Sequence, residues 1–182
     1  MIVKVNLTQK DFKEISKYMH IIVDTREDEN KDIIKFFKRR KIPIIRKKLD
    51  FGDYSFGISK NPIFEKLGIN EPISFENRIA IETKMSIDEI SGNLTQERER
   101  FKDEFTRAIA KGCEMHLIVE NGTLNDIYNH NYRTKFNEKA FINSIISFES
   151  KYNLKIHFLS SDFSGYHIYQ TFLIYLKNFM SE

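Results

Sequence analysis

The stretch Arg78–Lys84, RIAIETK, leaves a folding chain few options. Branched aliphatic residues alternate with small or polar ones, and no glycine or proline interrupts, so it predicts a strand. On a strand, Ile79, Ile81 and Thr83 share one face, and Ala80, Glu82 and Lys84 share the other. A fold that buries this strand must therefore set a carboxylate and an ammonium side by side, above a small alanine.

The rest of the chain predicts what such a strand would pair with. His20–Val23 is a compact apolar run ending at Asp24, as in a buried strand of a parallel or mixed sheet. Ile42–Leu49, Asp53–Ile58 (after a Phe51-Gly52 turn), Met115–Val119 and Lys155–Leu159 predict further strands, and Met1–Leu7 alternates as a short one. Helices are expected from Thr8 to about Met19, with Asp11 completing a capping box, and over Glu29–Arg40. Others are expected just after Ser86, with Glu89 in the capping pattern, over Leu94–Lys111 with Gly112 as the stop, over Asn137–Tyr152 and over Tyr166–Phe179. Ser59–Asn77 carries Pro62, Gly68, Pro72 and several Asn, and reads as a long loop or insertion. Strands alternating with helices predict an α/β fold with a central mixed sheet covered on both faces. Residues 20–182 show no internal boundary, and residues 1–19 are expected to form an N-terminal extension.

Composition excludes several classes. Of 182 residues, 41% are apolar and 13% aromatic, enough for a core. Cys113 is the sole cysteine, which rules out a disulfide framework or a cysteine zinc site. No apolar run approaches the ~20 residues of a membrane span, and the N-terminus turns polar too early for a signal peptide. A soluble protein of a reducing, cytoplasmic compartment is the expectation. The five histidines are scattered along the chain and are expected not to cluster. Ile168, Phe172, Tyr175, Leu176 and Phe179 form a stripe that reads as core packing, with a dimer interface as the alternative.

A net charge of +3 says little about partners, but its distribution says more. Lys31–Lys48 holds nine basic residues against one acid, Asp32. Lys38, Arg39, Arg40, Lys41, Arg46, Lys47 and Lys48 are candidates for contact with a nucleic-acid backbone. The alternative is a solvated helix face. Arg98, Arg100, Lys102 and Arg107 are interleaved with Glu97, Glu99, Asp103 and Glu104, which reads as a salt-bridged surface helix.

Chemistry concentrates near the opening strand. A carboxylate and an ammonium two residues apart can serve metal-assisted hydrolysis, the first holding a hard cation and the second an oxyanion or a water. By itself Glu-x-Lys is most often an ordinary surface pair. Asp53, just after Gly52, would meet Glu82 if the two strands run antiparallel. Asp24 closes an apolar strand at the end where α/β sheets build sites. The plainer readings are a helix cap for Asp24 and a turn residue for Asp53.

Val-Asp-Thr-Arg-Glu at 23–27, Gly-Asp-Tyr at 52–54 and Glu-Thr-Lys-Met-Ser-Ile-Asp at 82–88 resemble three signatures of the ERCC4-type nuclease domain. That domain belongs to the XPF/Mus81 family of structure-specific endonucleases, within the PD-(D/E)xK restriction-endonuclease-like superfamily. Its core pattern is G-D followed by E-R-K-x-x-x-D. This chain keeps Gly52, Asp53, Glu82, Lys84 and Asp88, with Thr83 where arginine is usual. Ser91–Phe101 is similar to the helix that follows, with Glu97-Arg98 where Gly-Arg is common, and Leu117–Glu120 is similar to the next strand. The layout, with Tyr132-Arg133-Thr134-Lys135 and the C-terminal helices, looks like compact versions found in bacteria and their phages.

The resemblance implies a restriction-endonuclease-like fold and a metal-dependent DNA endonuclease that cuts flap, fork or junction DNA in replication, recombination or repair. It implies Asp24, Asp53, Glu82 and Lys84 as the catalytic set. Mg²⁺ or Mn²⁺ would be held by Asp53, Glu82 and the Thr83 carbonyl, with Asp24 directly or through water. Lys84 would position the attacking water, and Arg26, Glu27, Asp88 and Arg98 would support the site. DNA, a second copy of the chain and a separate replication or recombination protein are the implied partners, and no membrane. The rival readings are a non-catalytic DNA-binding module with a degenerate site, and a general or sequence-specific nuclease of the same superfamily.

Overall fold

The structure is a computed structural model that describes residues 8–27 and 31–181. The strand expected at Met1–Leu7 and the start of the helix expected from Glu29 lie outside those residues.

The strand expected over Arg78–Lys84 is β5 (Ile79–Lys84), buried at every position. With β1 (Met19–Val23), β2 (Ile44–Arg46), β3 (Tyr54–Ile58), β4 (Ile73–Ser74), β6 (Glu114–Glu120) and β7 (Lys155–Leu159), it forms one sheet among the described residues. The order is β2-β1-β3-β5-β6-β7, with β4 paired to β3. β1 is parallel to β2, β5 to β6 and β6 to β7, whereas β3 is antiparallel to both β1 and β5. The mixed sheet matches the expectation.

The alternation of β5 splits the interior in two. Ile79 and Ile81 join a core with Ile33, Phe36 and Phe37 of α2 (Lys31–Arg39) and Ile168, Phe172 and Leu176 of α8 (Ser161–Phe179). Ile15 of α1 (Gln9–Ile15), which Thr8 starts with the expected capping box, packs into that core too. Ala80 faces a second core built from α4 (Ile87–Leu94), α5 (Arg98–Ala110), α6 (Leu124–Tyr128) and α7 (Glu138–Tyr152). Both faces of the sheet are thus covered.

Four sequence expectations change. Ser59–Asn77 is not a plain loop: Asn61 accepts the Phe64 amide as an N-cap, Pro62 opens α3 (Pro62–Lys66), and β4 follows. Proline at a first helical position fits, because that N–H would have no helical partner anyway. The longer helix expected over Leu94–Lys111 starts later, at Arg98. Thr95 leaves helical geometry and turns its hydroxyl back to the Ser91 carbonyl at 2.7 Å, so α4 ends at Leu94 and α5 starts at Arg98. The C-terminal helix begins at Ser161, ahead of the expected Tyr166.

Three of the five histidines do gather. His116 on β6 and His157 on β7 lie 3.2 Å apart (Nδ1 to Nε2), and the His157 and His167 rings lie 4.5 Å apart. Burial, with the neighbouring imidazoles, pushes the His157 pKa down to about 4, so the His157 ring packs as the neutral form. The stripe on α8 is core: Ile168, Phe172 and Leu176 are fully buried. Its exposed large apolar residues are instead Phe163, Tyr166 and Ile174.

Candidate active site

β3 and β5 meet where the chemistry was expected. Tyr54 pairs with Ile81, and one residue earlier the Asp53 amide donates to the Ile81 carbonyl at 2.9 Å. The Asp53 carboxylate then reaches across to β5. Its Oδ2 accepts the Thr83 backbone N–H at 2.8 Å and the Thr83 hydroxyl at 2.7 Å. Thr83, standing where the family pattern has arginine, thus anchors Asp53. Beside it, Glu82 Oε1 accepts from Lys84 Nζ at 2.7 Å, and both side chains are buried. The opposed pair that strand periodicity placed on one face is present.

The turn into Asp53 depends on Gly52. Its φ is +63°, and a Cβ there would stand 2.9 Å from the Ile81 carbonyl oxygen and 3.2 Å from the Ala80 Cβ. A glycine is needed twice over, for the left-handed backbone and for the close approach of two strands.

Burial and mutual repulsion tune these groups. Desolvation, with the nearby Glu27 charge, pushes the Asp53 pKa up to about 6 against the bonds from Thr83. Desolvation and the Asp53 charge push Glu82 up to about 8. For Lys84 burial disfavours the ammonium, but Glu82 outweighs it and holds the pKa above its ordinary value. Glu89, which was expected to complete a capping box, approaches Lys84 Nζ at 3.4 Å and caps the Met85 amide instead of closing the box with Ser86.

Asp24 is used differently from the expectation. Oδ1 accepts the Arg26 amide and Nε, both at 2.7 Å, and Oδ2 accepts Arg26 Nη2 at 2.9 Å and the Leu49 amide at 2.6 Å. A carboxylate offers about four lone-pair positions, and all four are engaged. Asp24 therefore ties Arg26 and the segment leading to Gly52 to the end of β1. Arg26 also donates to the Leu49 carbonyl at 3.1 Å.

Among the described residues, no three His, Cys, Asp or Glu side chains are grouped so as to enclose a metal ion. Mg²⁺ needs no such cage, because it keeps several waters and takes one or two carboxylates plus substrate phosphate. Asp53 and Glu82 suit it: two buried neighbouring carboxylates, each pushed toward its neutral form, are what a hard cation would neutralise.

Other predicted residues lie elsewhere. Asp88 accepts the Arg133 amide at 2.7 Å and its Nε at 2.9 Å, fastening the segment after α6 to the first turn of α4. Arg98 donates to the Leu94 carbonyl and to Ser144 Oγ and lies over the Phe148 ring, bracing α5 against α7. The basic stripe is split. Arg46 stands opposite Val23, and Lys47 N donates to the Val23 carbonyl at 3.0 Å, so Arg46, Lys47 and Lys48 run past the end of β1, which Asp24 follows. Lys38, Arg39, Arg40 and Lys41 lie at the opposite end of α2 and β2, where the Ile42 amide bonds the Phe37 carbonyl.

One acid was missed. Glu104 on α5 reaches the site and accepts the Gly52 amide at 3.0 Å. Its alternating charged neighbours marked it in the sequence as a surface salt-bridge partner, and nothing local distinguishes it.

Among the described residues, no helix is long and apolar enough to cross a membrane. No curated protein matches the chain. Its fold is similar to XPF from Aeropyrum pernix, with a TM-score of 0.61 at 16% identity over 87% of this chain and 65% of that one. XPF from Aeropyrum pernix in complex with DNA matches similarly, with a TM-score of 0.60 at 17% identity over 87% and 66%. The chain thus spans just under two thirds of the length of those XPF chains. With the fold, the Gly52-Asp53 turn and the Glu82–Lys84 strand in place, the family model that matches residues 23–171 fixes the assignment: the chain belongs to the ERCC4 domain family.

Proposed function

We propose that this chain is a metal-dependent DNA endonuclease that hydrolyses phosphodiester bonds, with branched or flapped DNA as its substrate. The observation that carries the reading is the convergence of Asp53, Glu82 and Lys84 at the β3–β5 junction. Asp53 and Glu82 would hold Mg²⁺ or Mn²⁺, joined by the Thr83 carbonyl. When bound, the cation supplies an acidified water and charge neutralisation at the phosphate. Lys84, kept protonated, holds a water or a phosphate oxygen by hydrogen bond. Thr83 keeps Asp53 in place, and Asp24 with Arg26 keeps the 24–27 segment against the turn. A DNA complex of an XPF with this fold supports DNA as the ligand.

The test uses labelled flap, fork, four-way junction and plain duplex DNA, with Mg²⁺, Mn²⁺ or EDTA. Branched substrates should be cut only with metal. Asp53→Ala should lose more than about 100-fold, the upper end of what an outer metal contact costs. Binding without cutting would overturn the enzyme reading in favour of a DNA-binding module, and equal cutting of duplex would remove structure specificity.

The split stripe gives a second expected result. Replacing Arg46, Lys47 and Lys48 by glutamine should lower the salt dependence of DNA binding by roughly one unit per lost phosphate contact. The same change at Lys38, Arg39, Arg40 and Lys41 should do less. Filter binding across a salt series reads both, and an unchanged slope in the first variant would place DNA elsewhere.

A further inference from the structure

We infer that Glu104 is a positioning residue of this site and its third carboxylate: it fixes Asp53 through the Gly52 amide and adds charge that tightens the grip on a divalent cation. The inference rests on the metal-dependent reading above. It starts from the turn at 52–53. The Asp53 amide is taken by Ile81 of β5, and the Asp53 carbonyl by the Asp24 amide at 2.8 Å. The Gly52 amide joins no strand ladder. Its partner is Glu104 Oε1, brought in by a helix from the opposite side.

α5 is held for this purpose by its own burial. Phe101, Phe105 and Ala108 sink into the second core, which fixes the helix and leaves Glu104 half-buried over the turn. The second oxygen, Oε2, has no hydrogen bond to any described residue. Asp24 is the opposite case, because both of its oxygens are consumed by Arg26 and Leu49. Glu104 Oε1 stands 3.0 Å from the amide of the residue that precedes Asp53, which sets its charge beside the proposed cation site. A carboxylate that raises the local negative potential beside two others strengthens their attraction for a cation.

Two variants of the full chain separate the roles. Glu104→Gln keeps an acceptor for the Gly52 amide and drops the charge, and Glu104→Ala drops both. The measurements are Mn²⁺ binding by calorimetry without DNA, hydrogen exchange at the Gly52 amide in EDTA, and DNA cutting across a metal series. Glu104→Gln should bind Mn²⁺ about tenfold more weakly, keep the Gly52 amide protected, and show a cutting deficit that narrows as metal rises. Glu104→Ala should also expose the amide and stay deficient at saturating metal. Wild-type Mn²⁺ affinity in both variants would overturn the charge role, and a protected Gly52 amide in Glu104→Ala would overturn the positioning role. If the unaltered protein takes up no cation, the functional reading and the charge role fail together, and amide exchange still decides the positioning role by itself.

Discussion

Alanine at position 52 is expected to cost about 2–4 kcal/mol of stability and to abolish metal-dependent cutting. The left-handed backbone at φ +63° contributes roughly 1–2 kcal/mol of that for any residue with a Cβ. The rest comes from contact. The new Cβ would meet the Ile81 carbonyl oxygen at 2.9 Å, and Ile81 is the partner that the Asp53 amide must reach. Relief comes only by parting β3 from β5, which moves Asp53 away from Thr83 and Glu82. In a domain of this size the loss lowers the melting temperature by roughly 4–16 °C. Gly68 provides the control: its φ is +76°, yet nothing lies within 4 Å of its would-be Cβ. Gly68→Ala should therefore carry the backbone strain alone and keep full activity. Thermal melts and metal-binding calorimetry on both variants decide the matter. Equal melting of the two, with metal uptake intact in Gly52→Ala, would show that the close approach does not matter.

What could be read ahead of the structure was whatever a single element encodes. The alternation in RIAIETK placed Glu82 and Lys84 together because side chains on a strand must alternate. The Asp53–Glu82 encounter needed one further assumption, an antiparallel return, and the register supports it. The misses share a cause. His116 lies 41 residues ahead of His157 in sequence, and only the parallel pairing of β6 with β7 brings it to His157 and to His167 on the helix that follows. Glu104 reaches Gly52 across 52 residues of sequence. Asp24 did mark the end of β1, but its type could not reveal that Arg26 and Leu49 use all its acceptor positions. In Ser59–Asn77 the turn-forming residues concealed two anchors, Phe64 and Phe75, both buried.

Those anchors lead to the second large effect. Phe56→Ala is expected to cost about 3–5 kcal/mol, the range for emptying a phenylalanine site in a packed core. Phe56 is fully buried on β3, stacked on Phe75 at 4.3 Å and on Phe172 of α8 at 5.1 Å, with the Tyr175 edge at 6.2 Å. Those rings come from two other pieces of chain, Phe75 just after β4 and Phe172 with Tyr175 on α8, so the cavity cannot close by shifting one side chain. Phe75 loses its flat partner, while Phe179 and Tyr175 meet it edge-on and cannot move in to replace the stack. The segment from α3 through β4 is therefore expected to loosen first: amide exchange over residues 59–77 should accelerate more than in β6. Phe163→Ala, at an exposed site, should change stability by less than about 0.5 kcal/mol. Denaturant titration of the two variants, followed by exchange, checks both the size and the place of the effect. A loss below about 1 kcal/mol in Phe56→Ala, or exchange no faster over 59–77 than over β6, would mean that the aromatic stack does not hold this segment to the sheet.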